Sequence, residues 1–323
     1  MTHIVAVDIG GTHARFVLAD VEGGQVRALG EVVTLQTADH ASFQTAWEAF
    51  AEHAGHILPK AVGIAVAGPV DGDIIKFTNN PWILQPAQLP AQLQVDALTL
   101  VNDFGAVGHA VAQAGPEHFL HLCGPEIDLP PTGTISVVGP GTGLGVSHVW
   151  RAGADYHVVP TEGGHADFAP LDAIEDEILT QLRKRYRRVS VERIVAGPGL
   201  VDIYQILARI EGRAVQQLDD KALWALGMSG DDSLATAAIE RFCLSLGSVA
   251  GDIALTHGAS AVVIAGGLGL RLKETILASG FAERFRAKGR FEAMMARLPV
   301  KLITHPQPGL FGAAAAFCRE HGI

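Results

Sequence analysis

An α/β fold follows from three features of the sequence. Its 37 glycines cluster where short β-branched runs end, which is how strands that stop at ligand loops read. A strand, a turn containing Gly and Thr, and a returning strand occur twice, near 4–20 and near 134–150, a weak internal duplication of pattern rather than identity. Beyond about residue 172 the chain reads mainly as helix, interrupted by strands at Ala261–Ala265 and Val300–Thr304.

In order, the first strand is Ile4 to Val7, followed by the turn Gly10-Gly11-Thr12. Phe16–Ala19 and Val32–Leu35 read as the next two strands of an antiparallel meander, with the turn signal Glu22-Gly23-Gly24 between them. Residues 39–54 read as a helix, because Phe43, Trp47, Phe50 and Ala54 recur on one face and so mark a core stripe. A buried strand follows at Ala61–Ala67, then a short one at Leu98–Val101 that stops at Asn102-Asp103, then a helix from Phe104 to Ala114. Gly124–Gly133 holds Pro125, Pro130 and Pro131 and reads as a loop, one candidate domain boundary. The strands Thr134–Val138, Gly145–Trp150 and Tyr156–Val159 come next. Helices are expected at about 172–187, 190–196, 199–211, 233–256, 270–279 and 309–320. The basic cluster Arg183 to Arg188 reads as a solvated helix end.

At 323 residues the chain is long enough for two domains, or one large one, at about 100–200 residues each. Hydrophobic residues make up 48% and charged residues 18%, a globular and not a disordered composition. Asp+Glu outnumber Lys+Arg by 34 to 24, for a net charge of −10. That excludes a general nucleic-acid binder, which needs a basic face, but not an ATP binder, since a glycine loop and Mg²⁺ need few lysines. Cys123, Cys243 and Cys318 are too few and too scattered for a disulfide framework and read as reduced cytosolic thiols. The opening apolar run stops at Asp8, so no signal peptide is expected. The most apolar window, 246–270, is broken by Asp252 and His257, so no membrane span is expected either.

Four loops can hold a ligand. In Asp8-Ile9-Gly10-Gly11-Thr12 a carboxylate ends a strand and glycines follow; exposed N–H groups there suit phosphate oxygens, and Asp8 suits Mg²⁺ through water. Gly139-Pro140-Gly141-Thr142-Gly143-Leu144-Gly145 offers a second hairpin with backbone donors and a hydroxyl, but without the G-x-G-x-x-G spacing. The chain has no Gly-Lys dipeptide, which excludes a Walker A loop. Ala265-Gly266-Gly267-Leu268 follows a strand and can lie flat against adenine and ribose; Ala67-Gly68-Pro69-Val70 reads as a hinge or cleft wall. Each also has a plain reading as a turn.

The loops 7–12, 139–145 and 265–268, in that order, resemble the two phosphate motifs and the adenosine motif of the sugar kinase, heat-shock protein and actin superfamily. The resemblance narrows with Leu100-Val101-Asn102-Asp103-Phe104, with Glu162-Gly163-Gly164-His165-Ala166-Asp167-Phe168-Ala169-Pro170, and with Ser190-Val191-Glu192-Arg193 followed by Gly197-Pro198-Gly199-Leu200. Together these are similar to the bacterial ATP-dependent glucokinase family, from Val7 to about Gly312.

The resemblance implies a two-domain, ribonuclease H-like fold of the actin type with a cleft between domains. The smaller domain would hold 1–113 and 306–323, the larger 114–305. ATP would lie on Gly10, Gly11, Thr12, Gly141, Thr142, Gly143, Gly266 and Gly267, with Mg²⁺ near Asp8. D-glucose would meet Asn79, Asn102, Asp103, Glu162, His165 and Glu192, and Asp103 would be the general base toward the 6-hydroxyl. A cytoplasmic homodimer acting at the entry to glycolysis, with no nucleic-acid or membrane partner, completes that expectation.

The residues themselves leave alternatives. Asn102-Asp103 before a helix also makes a good N-cap. Glu162 and His165 supply an acceptor and a donor for hydroxyls; zinc would need more ligands than His165 and Asp167. Glu192 also suits a first helical turn, and Asn79 before Asn80-Pro81 also suits a turn. Relative to the family pattern, His13 stands in place of Asn and Thr161 in place of Gly. A kinase for another hexose and a non-enzymatic ATP-binding protein of the actin or chaperone type are the rival functions. No zinc-binding cysteine cluster and no DNA-binding helix pair ahead of Ile4 point to a sugar-responsive repressor.

Overall fold

Two sheets of six strands each carry the structure, a computed structural model that describes residues 2–55, 57–77, 80–216 and 218–323. The strands are β1 Thr2–Ile9, β2 His13–Glu22, β3 Gln25–Leu29, β4 Val33–Gln36, β5 Ala61–Val66, β6 Ile75–Lys76, β7 Ile83–Leu84, β8 Ala97–Asn102, β9 Phe119–Cys123, β10 Thr132–Pro140, β11 Leu144–Ala152, β12 Asp155–Thr161, β13 Ala259–Ile264 and β14 Val300–Ile303. The α-helices are α1 Phe43–His53, α2 Leu89–Leu93, α3 Asp103–Gln113, α4 Ala173–Arg183, α5 Gly199–Ile210, α6 Asp220–Ser229, α7 Ser233–His257, α8 Gly266–Arg271, α9 Lys273–Ala278, α10 Phe281–Arg286, α11 Glu292–Met295 and α12 Pro308–His321. The chain divides into two compact units: Met1–Gly115 with Val158–Pro160 and His305–Ile323, and Pro116–His157 with Thr161–Thr304.

In the first unit the strand order is β3-β2-β1-β5-β8, with β4 also on β2. β1 and β2 pair antiparallel from Thr2↔Val21 to Ile9↔Ala14, and β5 and β8 continue parallel. Ile4 to Val7 are wholly buried because β1 is covered on both faces, hence its unbroken apolar run. One cluster joins β1 and β2 to Phe43, Trp47, Phe50 and Trp82. Another joins them to α12. There the packing is backbone to backbone: a Cβ on Gly312 would lie 1.8 Å from the Ala106 carbonyl oxygen, and one on Gly63 2.3 Å from that of Ala313. α1 begins with a capping box between Ser42 and Thr45.

The second unit repeats the plan as β12-β11-β10-β13-β14, extended by β9 antiparallel to β14. β10 and β11 pair from Thr132↔Ala152 to Pro140↔Leu144, and β13 and β14 run parallel to β10. A larger core built on α4 to α11 includes Trp224, Phe242, Phe281 and Phe285. At its edge Asp172 caps α4 and pairs with Arg241 of α7 and Arg284 of α10. Burial pushes the Asp172 carboxyl up, but its hydrogen bonds and the arginines prevail and hold it below the usual range.

The structure corrects several local expectations. β3 follows the Gly23-Gly24 turn directly, and Val33–Gln36 pairs with the first half of β2 instead of continuing the meander. β3 escaped notice because Gln25 and Arg27 alternate with Val26, leaving a weak apolar signal. Stretch 190–196 holds no α-helix but a 3₁₀ turn, Val191–Arg193, followed by a Gly-Pro-Gly segment that supports no longer helix. β9, α6, α10 and α11 were not anticipated. Cys123, Cys243 and Cys318 are free thiols, and burial pushes them up to about 11, 12 and 11.

Candidate active site

Register gathers the first group of residues. Ile9 pairs with Val66 and Val66 with Asn102, so the ends of β1, β5 and β8 lie in one row. At about 4.8 Å per strand, Ile9 and Asn102 are about 10 Å apart at the carboxyl edge of the parallel strands, where open α/β sheets bind ligands. The turn after β1 is closed by the Gly10 N–H donating to the His13 carbonyl at 2.9 Å. Thr37 Oγ1 donates to the carbonyls of Gly11 and Thr12, each at 3.1 Å. Asn80 Nδ2 donates to the Gly10 carbonyl at 3.2 Å. Asn79, expected at the sugar, lies outside the described residues.

Asp8 stands just before this turn. Burial raises its carboxyl above the usual range, against the pull of Arg15, whose Nη1 donates to Oδ2 at 3.2 Å. The first turn of α12 comes so close that a Cβ on Gly309 would lie 2.8 Å from Asp8 Oδ2. Asn102 is the N-cap of α3: its Oδ1 accepts from the N–H groups of Phe104 and Gly105, and its Nδ2 donates to the Gly68 carbonyl at 3.0 Å. The cap reading of the sequence therefore holds. It leaves one amide hydrogen of Asn102 for a ligand. Asp103 opens α3 half-buried, and its Oδ1 accepts from the Phe104 N–H at 2.9 Å.

The second group converges on the hairpin 140–144. The Gly141 N–H donates to the Gly143 carbonyl at 2.8 Å, and Thr142 is exposed at the tip. Glu192 Oε2 accepts the Leu144 N–H at 2.8 Å; a Cβ on Gly143 would be 2.5 Å from that oxygen, so only glycine admits the carboxylate. Gly164 of the 162–165 turn passes so close that its Cβ would lie 2.2 Å from the Leu144 carbonyl oxygen. Glu162 and His165 sit exposed on this turn, Oε2 to Nε2 at 3.8 Å. Gly266, at φ +81°, brings the start of α8 against Pro140, where a Cβ would lie 2.6 Å from its carbonyl oxygen. Gly267 has open space where a Cβ would be. Three motifs far apart in sequence thus meet one hairpin.

Two side chains that support this group were missed. Arg188, read as part of a solvated helix end, donates to Asp167 and to the His165 carbonyl and ties down the 162–167 loop. Its neighbour Arg185 pairs with Asp202, and Arg193 lies 4.3 Å over the Tyr186 ring. The bridge Asp167↔Ser190 sets the two motifs side by side, a pairing that no local sequence pattern announces. Trp224 is the other: its Nε1 donates to the Gly197 carbonyl at 3.2 Å. Among the described residues no group of three or more His, Cys, Asp or Glu could hold a metal ion, and no helix is long and apolar enough to cross a membrane.

The family model described as Glucokinase matches residues 5–320. A glucokinase of Zymomonas mobilis is 57% identical over 318 residues, covering 98% of each chain. The crystal structure of a glucokinase from an Antarctic psychrotroph matches at a TM-score of 0.87 and 31% identity over 100% of both chains. A ROK-family glucokinase from Streptomyces griseus, solved in complex with glucose and AMPPNP, shares the fold at a TM-score of 0.61 and 19% identity, covering 97% of this chain and 98% of that one.

Proposed function

The chain belongs to the glucokinase family, and on that premise we propose how its residues carry the phosphorylation of glucose. Its fold is the actin-type α/β fold of the sugar kinases, and its activity is that of an ATP-dependent phosphotransferase acting on glucose. The γ-phosphoryl group of ATP passes to the 6-hydroxyl, giving glucose 6-phosphate and ADP.

Asp103 orients the 6-hydroxyl and accepts its proton; the loose transition state of phosphoryl transfer asks more of its position than of its basicity. Asn102 offers its remaining amide hydrogen to a neighbouring hydroxyl. Glu162, His165 and Glu192 take the other hydroxyls, with Asn79 as a further contact. The turns at 10–12 and 141–143 hold phosphate oxygens through backbone N–H groups, and Gly266 and Gly267 hold the adenosine. Mg²⁺ fits as an ion carried mostly by the nucleotide: Asp8 is an enclosed carboxylate at a glycine turn, and Mg²⁺ needs only one or two carboxylates beside phosphates and water. When bound it neutralises the charge of the β- and γ-phosphates.

The observation that best supports this reading is the shared row of strand ends that brings Asp8 and Asp103 to one edge of the first sheet. The proposal extends to a cytoplasmic homodimer at the entry to glycolysis; sedimentation of the purified chain tests the dimer. ADP release with MgATP and glucose, mannose or N-acetylglucosamine tests the substrate, with glucose expected to drive turnover. Preference for another hexose would replace the substrate and keep the fold. ATP binding without stimulation by any sugar would overturn the kinase reading.

A further inference from the structure

The hairpin 141–144 is gripped by Glu192 and by Gly197, and the side chain behind the second grip lies in no motif. Glu192 holds Leu144. On the other side the Gly197 N–H donates to the Gly141 carbonyl at 2.8 Å. The Gly197 carbonyl in turn accepts from Trp224 Nε1 at 3.2 Å. Trp224 is 3% exposed, and its ring meets Phe242 of α7 edge-on at 5.1 Å and 88°. The indole is thus fixed by the core, and its single N–H points at one peptide of the segment that contacts the hairpin. A buried indole usually finds such a partner, but here the accepting carbonyl belongs to the Gly197–Pro198 peptide, joined through the Gly197 Cα to the Ala196–Gly197 peptide whose N–H reaches Gly141. The carbonyls of Ala196, Gly197 and Pro198 also accept from Gly199, Leu200 and Val201 at 2.9, 3.4 and 3.2 Å, and the indole supplies the shorter of the two bonds to the Gly197 carbonyl; Gly197 itself imposes little conformational restraint.

We propose that Trp224 is a positioning residue for the nucleotide hairpin, acting through Gly197 on Gly141. The inference rests on the reading of that hairpin as a phosphate site. Removing the indole N–H lets the Gly197–Pro198 peptide turn about the Gly197 Cα, which loosens the N–H that holds the Gly141 carbonyl and weakens the hairpin's hold on the nucleotide. The sugar loop at 162–167 has its own supports in Arg188 and in the Asp167↔Ser190 bridge, so glucose recognition is spared.

The test is Trp224→Phe, which keeps an aromatic ring against Phe242, studied by steady-state kinetics and by amide hydrogen exchange. The expected result is a KM for ATP raised about three- to tenfold, the worth of one hydrogen bond, with the KM for glucose within about twofold of wild type. Exchange should quicken in 139–145 and not in 161–167. Equal shifts in both KM values, or a lower melting temperature with both KM values unchanged, would make Trp224 merely structural and overturn the proposal. Thr142→Val serves as the control. If it raises the KM for ATP while Trp224→Phe does not, this proposal falls and the hairpin reading stands. If neither variant moves it, both fall.

Discussion

In the first unit the hairpin β1–β2 is flanked by β3 on one side and by the parallel strands β5 and β8 on the other; in the second, β10–β11 is flanked by β12 and by β13 and β14 in the same order. The turns that close the two hairpins differ. The first runs from Ile9 to Ala14 and follows a carboxylate on its own strand, Asp8. The second, from Pro140 to Leu144, is one residue shorter and has Gly139 where the first has Asp8. Its carboxylate, Glu192, arrives from about fifty residues further along the chain. The helices differ as well: in the first unit small residues let α12 touch backbone while Phe43, Trp47, Phe50 and Trp82 fill a separate cluster, and in the second one larger core is built on α4 to α11. In the proposed reading one strand plan therefore serves two tasks, a tight frame that carries Asp8 and Asp103 and a broader one on which the ligand loops meet.

The largest expected effect separates those tasks. Asp103→Asn should lower kcat by about 10²–10⁴-fold, because the amide cannot take the hydroxyl proton. Glu162→Gln in the second unit should mainly raise the KM for glucose, by about tenfold, the order expected for a hydrogen bond to a charged group. Initial-rate kinetics with both substrates varied reads the two constants. A kcat collapse in both variants would break the division of labour.

Packing gives the next effect. Gly312→Ala drives a methyl into the Ala106 carbonyl and should cost about 3 kcal/mol or more, at the upper end of overpacking. Gly267→Ala, with open space and an ordinary φ, should leave stability nearly unchanged. Denaturant unfolding measures both.

Acid should also reach the units through different histidines. Burial first, then the positive charge of Arg319, depresses His109 of α3 to about 4. An unfolded histidine titrates near 6.5. Between those values the unfolded chain binds the extra proton, so stability rises with pH and is lost as pH falls from 6.5 toward 4, by about 2 kcal/mol at pH 5. In the second unit burial lowers His148 and His257, whose rings lie 4.7 Å apart, and His148 lowers His257 further. Their sign is the same. The melting temperature should fall from pH 7.5 to 5 for wild type and fall less for His109→Gln.

The sequence revealed these sites unevenly, for physical reasons. Glycine turns at strand ends and the Asn-Asp step announce themselves, because backbone geometry and capping demand those residue types locally. The strand plan of both units was visible as a repeated pattern. The supports were not: Arg188 looks like any cation on a helix end until Asp167 and Ser190 are paired, and Trp224 looks like any core aromatic until its N–H is aimed. Helix α6, which delivers that indole, has too mixed a pattern to stand out. A three-residue 3₁₀ turn at Glu192 likewise resembles a helix start in sequence, where only tertiary packing ends it.

The smallest effect concerns Thr161, at the end of β12 just before the 162–165 turn. Its hydroxyl donates to the Val146 carbonyl at 3.2 Å and accepts from the Gly163 N–H at 3.3 Å. It thus joins the sugar loop to β11, as Asn102 joins its own segment to α3 in the first unit. Thr161→Gly removes both bonds and frees the backbone, which should cost about 1 kcal/mol. Because the loop carries Glu162 and His165, that loss should raise the KM for glucose about two- to threefold, with kcat and the KM for ATP unchanged. Thr161→Ser keeps the hydroxyl and should restore the wild-type value. If both variants behave alike, the methyl group and not the hydroxyl holds the loop, and the comparison with Asn102 fails at that point.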